Sequence, residues 1–172
     1  MELLNGLQIF HLRRFEDSRG QFTEAFLEKQ LNIKFVQDNF SVSKRGVIRG
    51  MHYQIINPQG KLVFVTHGKI LDVAVDLRSN SETFGKWFGV ELSAKNGAAI
   101  YIPAGFAHGF QALTKDASVF YKCTDYYNPL GERTLIFDDS EVGIQWNNIE
   151  SVVSQKDLCG LPLCDVEKFR SV

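Results

Sequence analysis

Two of the four histidines in this 172-residue chain lie in segments rich in other functional side chains. His52 belongs to Arg49-Gly-Met-His52-Tyr-Gln54, and Lys61 follows shortly after in Gln-Gly-Lys61-Leu. An imidazole titrates near neutral pH and can act as a general base, while a nearby guanidinium or ammonium can bind an anion or an oxyanion. A lone histidine is more often structural, but this crowding of arginine, histidine and lysine favours a functional interpretation.

His108 lies in the segment Ile102-Pro-Ala-Gly-Phe-Ala-His108-Gly. The pattern Pro-x-Gly-x-x-His is typical of the second half-motif of cupin barrels, where the histidine points into the lumen. A cupin metal site also needs a His-x-His pair and a glutamate, and the chain offers Arg-Gly-Met-His52-Tyr instead. With two histidines as nitrogen donors, we expect no metal site; a site that adds Asp72 as a carboxylate ligand is the less favoured alternative.

The remaining histidines and the cysteines give weaker signals. His11 is expected at the surface and His67 in a turn before a glycine. The cysteines are odd in number and lack Cys-x-x-Cys spacing, which predicts a reduced, cytoplasmic chain with inertly packed thiols. They are Cys123, Cys159 and Cys164.

Composition excludes several classes of partner. The net charge of −1 argues against nucleic acid or an anionic membrane as a partner. The N-terminus has no signal-peptide pattern, and no apolar run approaches the roughly 20 residues of a membrane helix. A small anionic ligand remains compatible with the composition, because a few clustered arginines and lysines can serve one phosphate group.

The elements that must position these residues are short strands separated by turn signals. One helix is predicted near Phe26–Leu31, and the fourteen phenylalanines favour β structure. No repeat or linker divides the sequence, so we expect a single domain over residues 1–172. The pattern predicts an all-β sandwich or barrel with almost no helix. The predicted strands cover residues 46–54, 61–65, 69–77, 87–92, 98–102, 109–113, 118–124 and 133–138.

One predicted strand, residues 69–77, carries two carboxylates on one face. Asp72 and Asp76 alternate with the apolar residues of the opposite face. We expect the apolar face to pack between two sheets, which leaves the carboxylate face either in solvent or in a barrel lumen. The apolar residues are Leu71, Val73, Val75 and Leu77.

Ten segments between Phe15 and Asp157, in order and correctly spaced, resemble those of the dTDP-4-dehydrorhamnose 3,5-epimerases. The sequence departs from the family pattern at residues 97–99 and at Phe137-Asp-Asp139, where the family usually has Trp-Asn-Asp. These departures leave the identity of the sugar substrate undetermined. Two of the ten are the histidine segments above. The others are Asp17-Ser-Arg19-Gly-Gln-Phe22-Thr-Glu24, Phe35-Val-Gln37-Asp-Asn39, Gly60-Lys61-Leu-Val63, Asp72-Val-Ala-Val-Asp76-Leu-Arg78, Thr83-Phe-Gly-Lys-Trp87, Tyr121-Lys-Cys-Thr124, Tyr126-Tyr127 and Gly143-Ile-Gln-Trp146.

The resemblance implies a cupin-like jelly-roll β-barrel with short peripheral helices. It also implies an isomerase that inverts C3 and/or C5 of a dTDP-4-keto-6-deoxyhexose through an enolate, in deoxysugar biosynthesis of the rhamnose type, with no cofactor and no metal. His52 would be the base, Lys61 the donor at the enolate oxygen, and Tyr121 the acid. Asp157 would orient His52, although Ser154-Gln-Lys-Asp157 taken alone favours a helix capping box.

The same resemblance implies a nucleotide site. Guanidinium groups bind phosphate bidentately, so the diphosphate is expected at Arg19 and Arg49, with the amides of Gln37 and Asn39 nearby. The nucleotide base is expected at Phe22, Glu24 and Tyr127. Three of these residues would come from a neighbouring subunit, which predicts a homodimer: Arg19, Phe22 and Glu24. The other substrate-binding residues implied are Gln37, Asn39, Arg49, His108 and Tyr127, and His108 could pair with Asp72 in the lumen.

Three alternatives stay open. A 3,4-ketoisomerase acting on the same 4-keto sugar would use similar chemistry, although Tyr121-Lys-x-Thr and Gly60-Lys61-Leu favour the epimerase. A metal-dependent cupin oxygenase or isomerase would contain bound metal. A non-catalytic sugar-binding barrel would bind dTDP-sugars without exchanging protons.

Overall fold

The computed structural model describes residues 3–170, and most of the regular structure in them is β-strand. The helices are α1 (Glu28–Leu31) and α2 (Gln155–Leu158). The strands are β1 (Gln8–His11), β2 (Arg13–Asp17), β3 (Gly20–Glu24), β4 (Gln37–Lys44), β5 (Val47–Gln54), β6 (Lys61–His67), β7 (Lys69–Asp76), β8 (Trp87–Ser93), β9 (Ala98–Ile102), β10 (Phe106–Ala112), β11 (Asp116–Cys123), β12 (Glu132–Thr134) and β13 (Val152–Val153).

Two antiparallel sheets form the barrel. One has the order β1-β9-β6-β11-β4 and the other the order β12-β5-β10-β7-β8. The short strand β13 joins the second sheet by pairing in parallel with the start of β5. Strands β2 and β3 form a separate two-stranded hairpin. This all-β, cupin-like jelly roll confirms the predicted fold class.

Each of the eight predicted strands corresponds to a strand of the structure, although β12 is only three residues long. The helix predicted at Phe26–Leu31 is confirmed as the shorter α1. Strands β1 to β4 were not predicted. Their residues are mostly exposed or half-buried, and β2 is largely charged as Arg-Arg-Phe-Glu-Asp, so no buried apolar face signals a strand.

Both faces of β7 are buried, which corrects the expected placement of its apolar face. Ile70 and Ala74 lie on the carboxylate side and join the core between the two sheets. Val73 and Val75 point the other way, onto the outer face of the second sheet. There they are covered by the C-terminal segment, including Val142, Ile144, Leu163, Val166 and Phe169. The carboxylates therefore face the barrel lumen, one of the two alternatives for that face.

The C-terminal segment then reaches the edge of β5 and carries α2 to the lumen. Trp146 Nε1 donates to the carbonyl of Phe137 at 2.8 Å, and the N–H of Val152 donates to the carbonyl of Gly46 at 3.0 Å. No helix in residues 3–170 is long and apolar enough to cross a membrane.

Candidate active site

A cavity of about 570 Å³ lies between the two sheets. A second chamber of about 250 Å³ adjoins it and shares four of its lining residues, His52, Lys61, Tyr121 and Glu132. The polar lining of the larger cavity comprises Ser41, Arg49, His52, Lys61, His108, Tyr121, Glu132, Ser154, Lys156 and Asp157.

His52 and Asp157 form a hydrogen-bonded pair at the wall of the cavity. His52 Nε2 lies 2.7 Å from Asp157 Oδ1, and the N–H of Gly50 donates to Asp157 Oδ2 at 3.3 Å. Burial by itself would raise the pKa of Asp157, but the bond to His52 and the N–H of Gly50 hold that pKa below its ordinary value. The ionised carboxylate can only accept, so Nε2 donates in this bond, and a neutral imidazole in that tautomer presents Nδ1 as a base.

The local sequence of α2 serves both interpretations of Asp157. Ser154 is the N-cap residue, and its Oγ accepts from the N–H of Asp157 at 3.2 Å. The carboxylate of Asp157 bonds to His52 and to the N–H of Gly50. Only half of the capping box forms, and the backbone cap fixes the turn from which the carboxylate projects.

The candidate catalytic side chains enter the cavity from opposite sheets. His52 lies on β5 of one sheet, whereas Lys61 on β6 and Tyr121 on β11 belong to the other. Facing sheets pack about 10 Å apart, so the imidazole and the phenol line opposite walls of the cavity.

The two groups on the facing sheet have shifted pKa values. Burial lowers the pKa of Lys61, and the nearby Cys123, Asp72 and Glu132 partly offset that effect. Burial raises the pKa of Tyr121, so the phenol is protonated at neutral pH. An ammonium group with reduced hydration is well suited to stabilise an oxyanion, and a neutral phenol can donate a proton.

A second histidine–carboxylate pair lies deeper in the lumen. His108 Nε2 is 2.9 Å from Asp72 Oδ2, and both residues are buried. The other carboxylate oxygen, Asp72 Oδ1, is buried without a hydrogen-bond partner among residues 3–170. His108 lines the cavity and Asp72 stands behind it. Within the same residues, no group of three or more His, Cys, Asp or Glu side chains could hold a metal ion.

Several of the expected nucleotide-binding residues line the two chambers. Arg49 lines the larger one, and its Nε donates to Ser43 Oγ at 2.9 Å. Gln37, Asn39 and Tyr127 line the smaller one. Gln37 Nε2 donates to Asn39 Oδ1 at 3.0 Å, and Gln37 Oε1 accepts from the N–H of Tyr127 at 2.8 Å. These bonds hold the amides in place at the cavity wall.

Arg19, Phe22 and Glu24 are not brought to this cavity within one chain. They lie on the β2–β3 hairpin, where Arg19 is exposed and pairs with Asp17. Phe22 is 66% exposed, and with Glu24 it lines a separate groove bordered by aromatic residues and Lys122.

Sequence reasoning missed two charged residues of the cavity, Glu132 and Lys156. Lys156 Nζ lies 2.6 Å from Glu132 Oε2, which also accepts from Tyr127 OH at 2.7 Å. Burial would raise the pKa of Glu132, but its bonds to Lys156 and Tyr127 hold that pKa below the ordinary value. The position of Lys156 next to Asp157 was an available signal, whereas nothing in the sequence around Glu132 marked it.

The expected packing of the cysteines holds for one of the three. Cys123 is buried, with Asn39 Nδ2 3.5 Å from its sulfur, but Cys159 and Cys164 are exposed, which contradicts inert packing there. All three are free thiols. His11 and His67 are both exposed at strand ends.

Comparisons with known proteins agree on one family. The profile of the dTDP-4-dehydrorhamnose 3,5-epimerases matches residues 2–165. A dTDP-4-dehydrorhamnose 3,5-epimerase of Neisseria gonorrhoeae is 50% identical over 90% of this chain, which spans only 49% of that protein's length. The crystal structure of a dTDP-6-deoxy-D-glucose-3,5-epimerase from Legionella pneumophila, in complex with dTDP-4-keto-L-rhamnose, is 44% identical with a TM-score of 0.92, over 96% of this chain and 94% of that one. A 3′-monoepimerase from Streptomyces bikiniensis, in complex with dTDP-quinovose, is 34% identical with a TM-score of 0.89, over 94% of this chain and 85% of that one.

Proposed function

The chain belongs to the dTDP-4-dehydrorhamnose 3,5-epimerase family, and we propose that it inverts carbons beside the C4 ketone of a dTDP-4-keto-6-deoxyhexose. One observation carries this proposal. The His52–Asp157 pair, at 2.7 Å, shares a cavity with Lys61 and Tyr121 of the facing sheet. A base, an oxyanion donor and an acid on the far side are the three groups that the reaction needs.

The first half of the reaction forms an enolate. His52 takes the proton from the carbon α to the ketone, and the electrons of that C–H bond form a C=C bond. The negative charge moves to the C4 oxygen, where the ammonium of Lys61 donates a hydrogen bond. Asp157 stabilises the imidazolium by accepting from its other nitrogen. A positioned general base typically contributes 10²–10⁴-fold in rate, and an oxyanion donor about 10²–10³-fold.

The second half returns a proton to the opposite face. Tyr121 donates its phenolic proton to the α carbon, the C=C bond reverts to a ketone, and the carbon is inverted. Since C3 and C5 both lie α to C4, the same groups can serve each carbon if the ring shifts between steps and if solvent has taken the proton from His52 and returned one to the Tyr121 phenolate. We propose that both carbons are inverted.

The nucleotide is bound at the rim by charge and by amides. Arg49 supplies a guanidinium for the diphosphate, and Gln37 and Asn39 donate hydrogen bonds nearby. His108 contacts the sugar from the lumen, and Tyr127 contacts the base. Arg49→Ala should raise the KM strongly, because a hydrogen bond to a charged group contributes about 1.5–3 kcal/mol. An unchanged KM would remove Arg49 from the diphosphate site.

We further propose a homodimer in which the hairpin of one copy completes the site of the other. The exposed aromatic ring of Phe22 and the exposed guanidinium of Arg19, which pairs with Asp17, do not line the cavity of their own chain. A neighbouring hairpin would bring Arg19 to the diphosphate and Phe22 with Glu24 to the base. This arrangement accounts for side chains that one chain alone leaves outside its cavity.

Mixed dimers test this sharing. Arg19→Ala and His52→Ala should each be nearly inactive alone. Refolded together, they should restore up to about a quarter of the wild-type activity, since half of the dimers then hold one intact site of two. Failure to restore activity, with dimers present by sedimentation, would place Arg19 in its own chain's function or in none.

The proposal includes a single cytoplasmic domain that needs neither metal nor cofactor. The three free thiols are compatible with a reducing compartment. Turnover should be unchanged in excess EDTA, and elemental analysis of the purified protein should find no stoichiometric transition metal. Stoichiometric metal together with chelator-sensitive turnover would favour a metal-dependent cupin.

Incubation with dTDP-4-keto-6-deoxyglucose in heavy water tests the reaction itself. The epimerase should incorporate deuterium at C3 and C5, and NMR of the product should show both centres inverted. A carbonyl moved to C3 would indicate a ketoisomerase, and tight binding without exchange would indicate a sugar-binding barrel. Deuterium at one carbon only would mark a mono-epimerase.

Tyr121→Phe then separates proton removal from proton return. The change removes the hydroxyl with little change in volume, so His52 should still exchange α protons while at least one inversion fails. Exchange should therefore outlast epimerisation. A doubly inverted product formed at the wild-type rate would mean that another group or water is the acid.

A further inference from the structure

One wall of the cavity is formed by a long C-terminal excursion, residues 139–163, which we call the strap. Asp139 closes the strap at its two ends. Its Oδ1 accepts from the N–H of Val142 and its Oδ2 from the N–H of Leu163, both at 2.9 Å. The strap contributes Val152, Val153, Ser154, Lys156 and Asp157 to the cavity lining. Whatever holds the strap therefore sets where Asp157 stands relative to His52.

The attachment of the strap near the sheet edge is sparse. Strand β13 contributes only two ladder positions, Val152 opposite Val47 and Val153 opposite Ile48. Just before them the strap passes directly over Gly46, whose φ is +84°. A Cβ at Gly46 would lie 2.2 Å from the carbonyl oxygen of Glu150, so the strap sits against bare backbone there.

A further polar anchor of the strap is Gln111, on the outer face of β10. Its residue exposure is 0%, and its side chain bonds only to the main chain of Asn147 among residues 3–170. Gln111 Oε1 accepts from the N–H of Asn147 at 2.8 Å, and Gln111 Nε2 donates to the carbonyl of Asn147 at 3.4 Å. A buried side-chain amide that bonds to both the N–H and the carbonyl of one residue fixes the position and orientation of that residue's backbone.

Gln111 and the short pairing of β13 with β5 lie next to each other in the sheet. Ile48 of β5 is the Cα partner of Gln111 on one side and of Val153 on the other. Along the chain, the strap first bonds to Gln111 through Asn147 and then passes over Gly46. It pairs with Ile48 through Val153 just before α2 begins. If the two bonds between Gln111 and Asn147 are removed, the segment before α2 keeps only the β13 ladder and the bond from Val152 to Gly46, while α2 itself stays tied by Lys156 to Glu132 and by Asp157 to Gly50.

We propose that Gln111 is a positioning residue for the reaction, which sets Asp157 against His52 through the strap. Gln111 is absent from the cavity lining and lies on the opposite face of β10 from His108. Its effect is therefore on the 2.7 Å contact between His52 and Asp157 and not on the substrate directly. This inference rests on the proposed function of that pair.

Gln111→Met removes both hydrogen bonds with little change in volume. We expect kcat to fall roughly ten- to a hundredfold, the range that a displacement of about 1 Å produces at a catalytic group. The Kd for dTDP should stay within about twofold of wild type, because Asp157 acts at the sugar and not at the nucleotide. The proton that His52 shares with Asp157 should lose its low-field NMR resonance, a readout that needs no turnover.

Two further variants guard against simple misfolding. Gln111→Glu is nearly isosteric, and a buried neutral carboxyl can both accept and donate, so it should keep most of the rate. Asn148→Ala, an exposed position on the same strap, should leave kcat and the NMR resonance unchanged. Circular dichroism checks the fold of each variant.

A double-mutant cycle with Asp157→Asn decides whether Gln111 acts through Asp157. In that background, Gln111→Met should cost nothing further in the residual exchange rate. An equal loss in both backgrounds, or a wild-type kcat and resonance in Gln111→Met, would overturn the proposal. A wild-type chain without any α-proton exchange would instead refute the proposed function, while the resonance would still report on the anchor.

Discussion

Strand β7 carries two carboxylates on one face, Asp72 and Asp76, and both have zero solvent exposure. Asp76 accepts five hydrogen bonds, three from Arg78 and one each from the hydroxyls of Ser81 and Thr83. Asp72 accepts from His108 alone and leaves Oδ1 without a partner among residues 3–170. The two carboxylates are thus equally buried, but Asp76 is fully hydrogen-bonded and Asp72 is not.

This difference separates a structural region from a reactive one. We call Asp76, Arg78, Ser81 and Thr83 the Asp76 cluster, and its guanidinium also stacks on the ring of Phe106 at 4.6 Å. The cavity cluster consists of His52, Lys61, Tyr121 and Asp157, with His108 and Asp72 behind it. Unsatisfied buried oxygens cost about 1–3 kcal/mol, and such costs are expected where function needs them. The Asp76 cluster should therefore serve stability, and the cavity cluster chemistry.

The largest expected effect is on rate, in the cavity cluster. His52→Ala should abolish detectable α-proton exchange, a loss of 10²–10⁴-fold or more, with Asp157→Asn milder but within that range. The Kd for dTDP and the Tm should change little, because neither the diphosphate site nor the fold depends on the imidazole. Deuterium exchange, calorimetry and thermal melting measure the three quantities. Full turnover in Asp157→Asn would leave that residue with only its capping function.

The opposite result is expected at Asp76. Asp76→Asn should lower the free energy of unfolding by about 1–3 kcal/mol, since it weakens or removes hydrogen bonds to a fully buried carboxylate and leaves the partly buried guanidinium of Arg78 without its counter-charge. The Tm should fall by roughly 2–4 °C for each kcal/mol, while kcat of the folded enzyme stays near wild type. Asp138→Asn, at an exposed carboxylate, is the matched control. A large loss of kcat with an unchanged Tm would abolish the distinction between the clusters.

Acid should weaken the Asp76 cluster by a smaller, graded amount. Burial would raise the pKa of Asp76, but the bonds from Arg78, Ser81 and Thr83 hold it below its ordinary value of 3.8. A carboxyl with a depressed folded pKa stabilises fully above its unfolded pKa and loses that contribution as the pH falls through the folded one. Stability should thus decline below about pH 4 in the wild type. Urea unfolding across this range should give a flatter profile for Asp76→Asn, and parallel profiles would contradict the assignment.

The smallest effect is expected at Asp72. Asn at this position can still accept from His108, so stability should change by no more than about 1 kcal/mol. Loss of the negative charge should lower the pKa of Lys61 further, because Asp72 partly offsets the effect of burial on that ammonium. The alkaline limb of the kcat profile should therefore move to lower pH. An unmoved limb would show that Asp72 has no electrostatic effect on Lys61.

The sequence by itself determined much of the barrel. The alternation of Leu71, Val73, Val75 and Leu77 with two carboxylates predicted β7, and the Pro-x-Gly-x-x-His pattern predicted that His108 points into the lumen. Strand β4 was missed because its large apolar side chains, Phe40 and Val42, point outward and are exposed. The alternation of a strand does not tell which of its faces a second layer will cover. For that reason the apolar face of β7 was assigned to the wrong layer.

Tertiary structure alone decided the site, and the reason is separation along the chain. The partners of Asp76 lie two, five and seven residues away, so one turn after β7 is enough to place them. His52 and Asp157 are 105 residues apart, and Asp72 and His108 are 36 apart. Such groups meet only when two sheets and the strap have packed, because no local backbone geometry relates them. The sequence could name these residues through a family resemblance, but their distances and unsatisfied oxygens exist only in the folded chain.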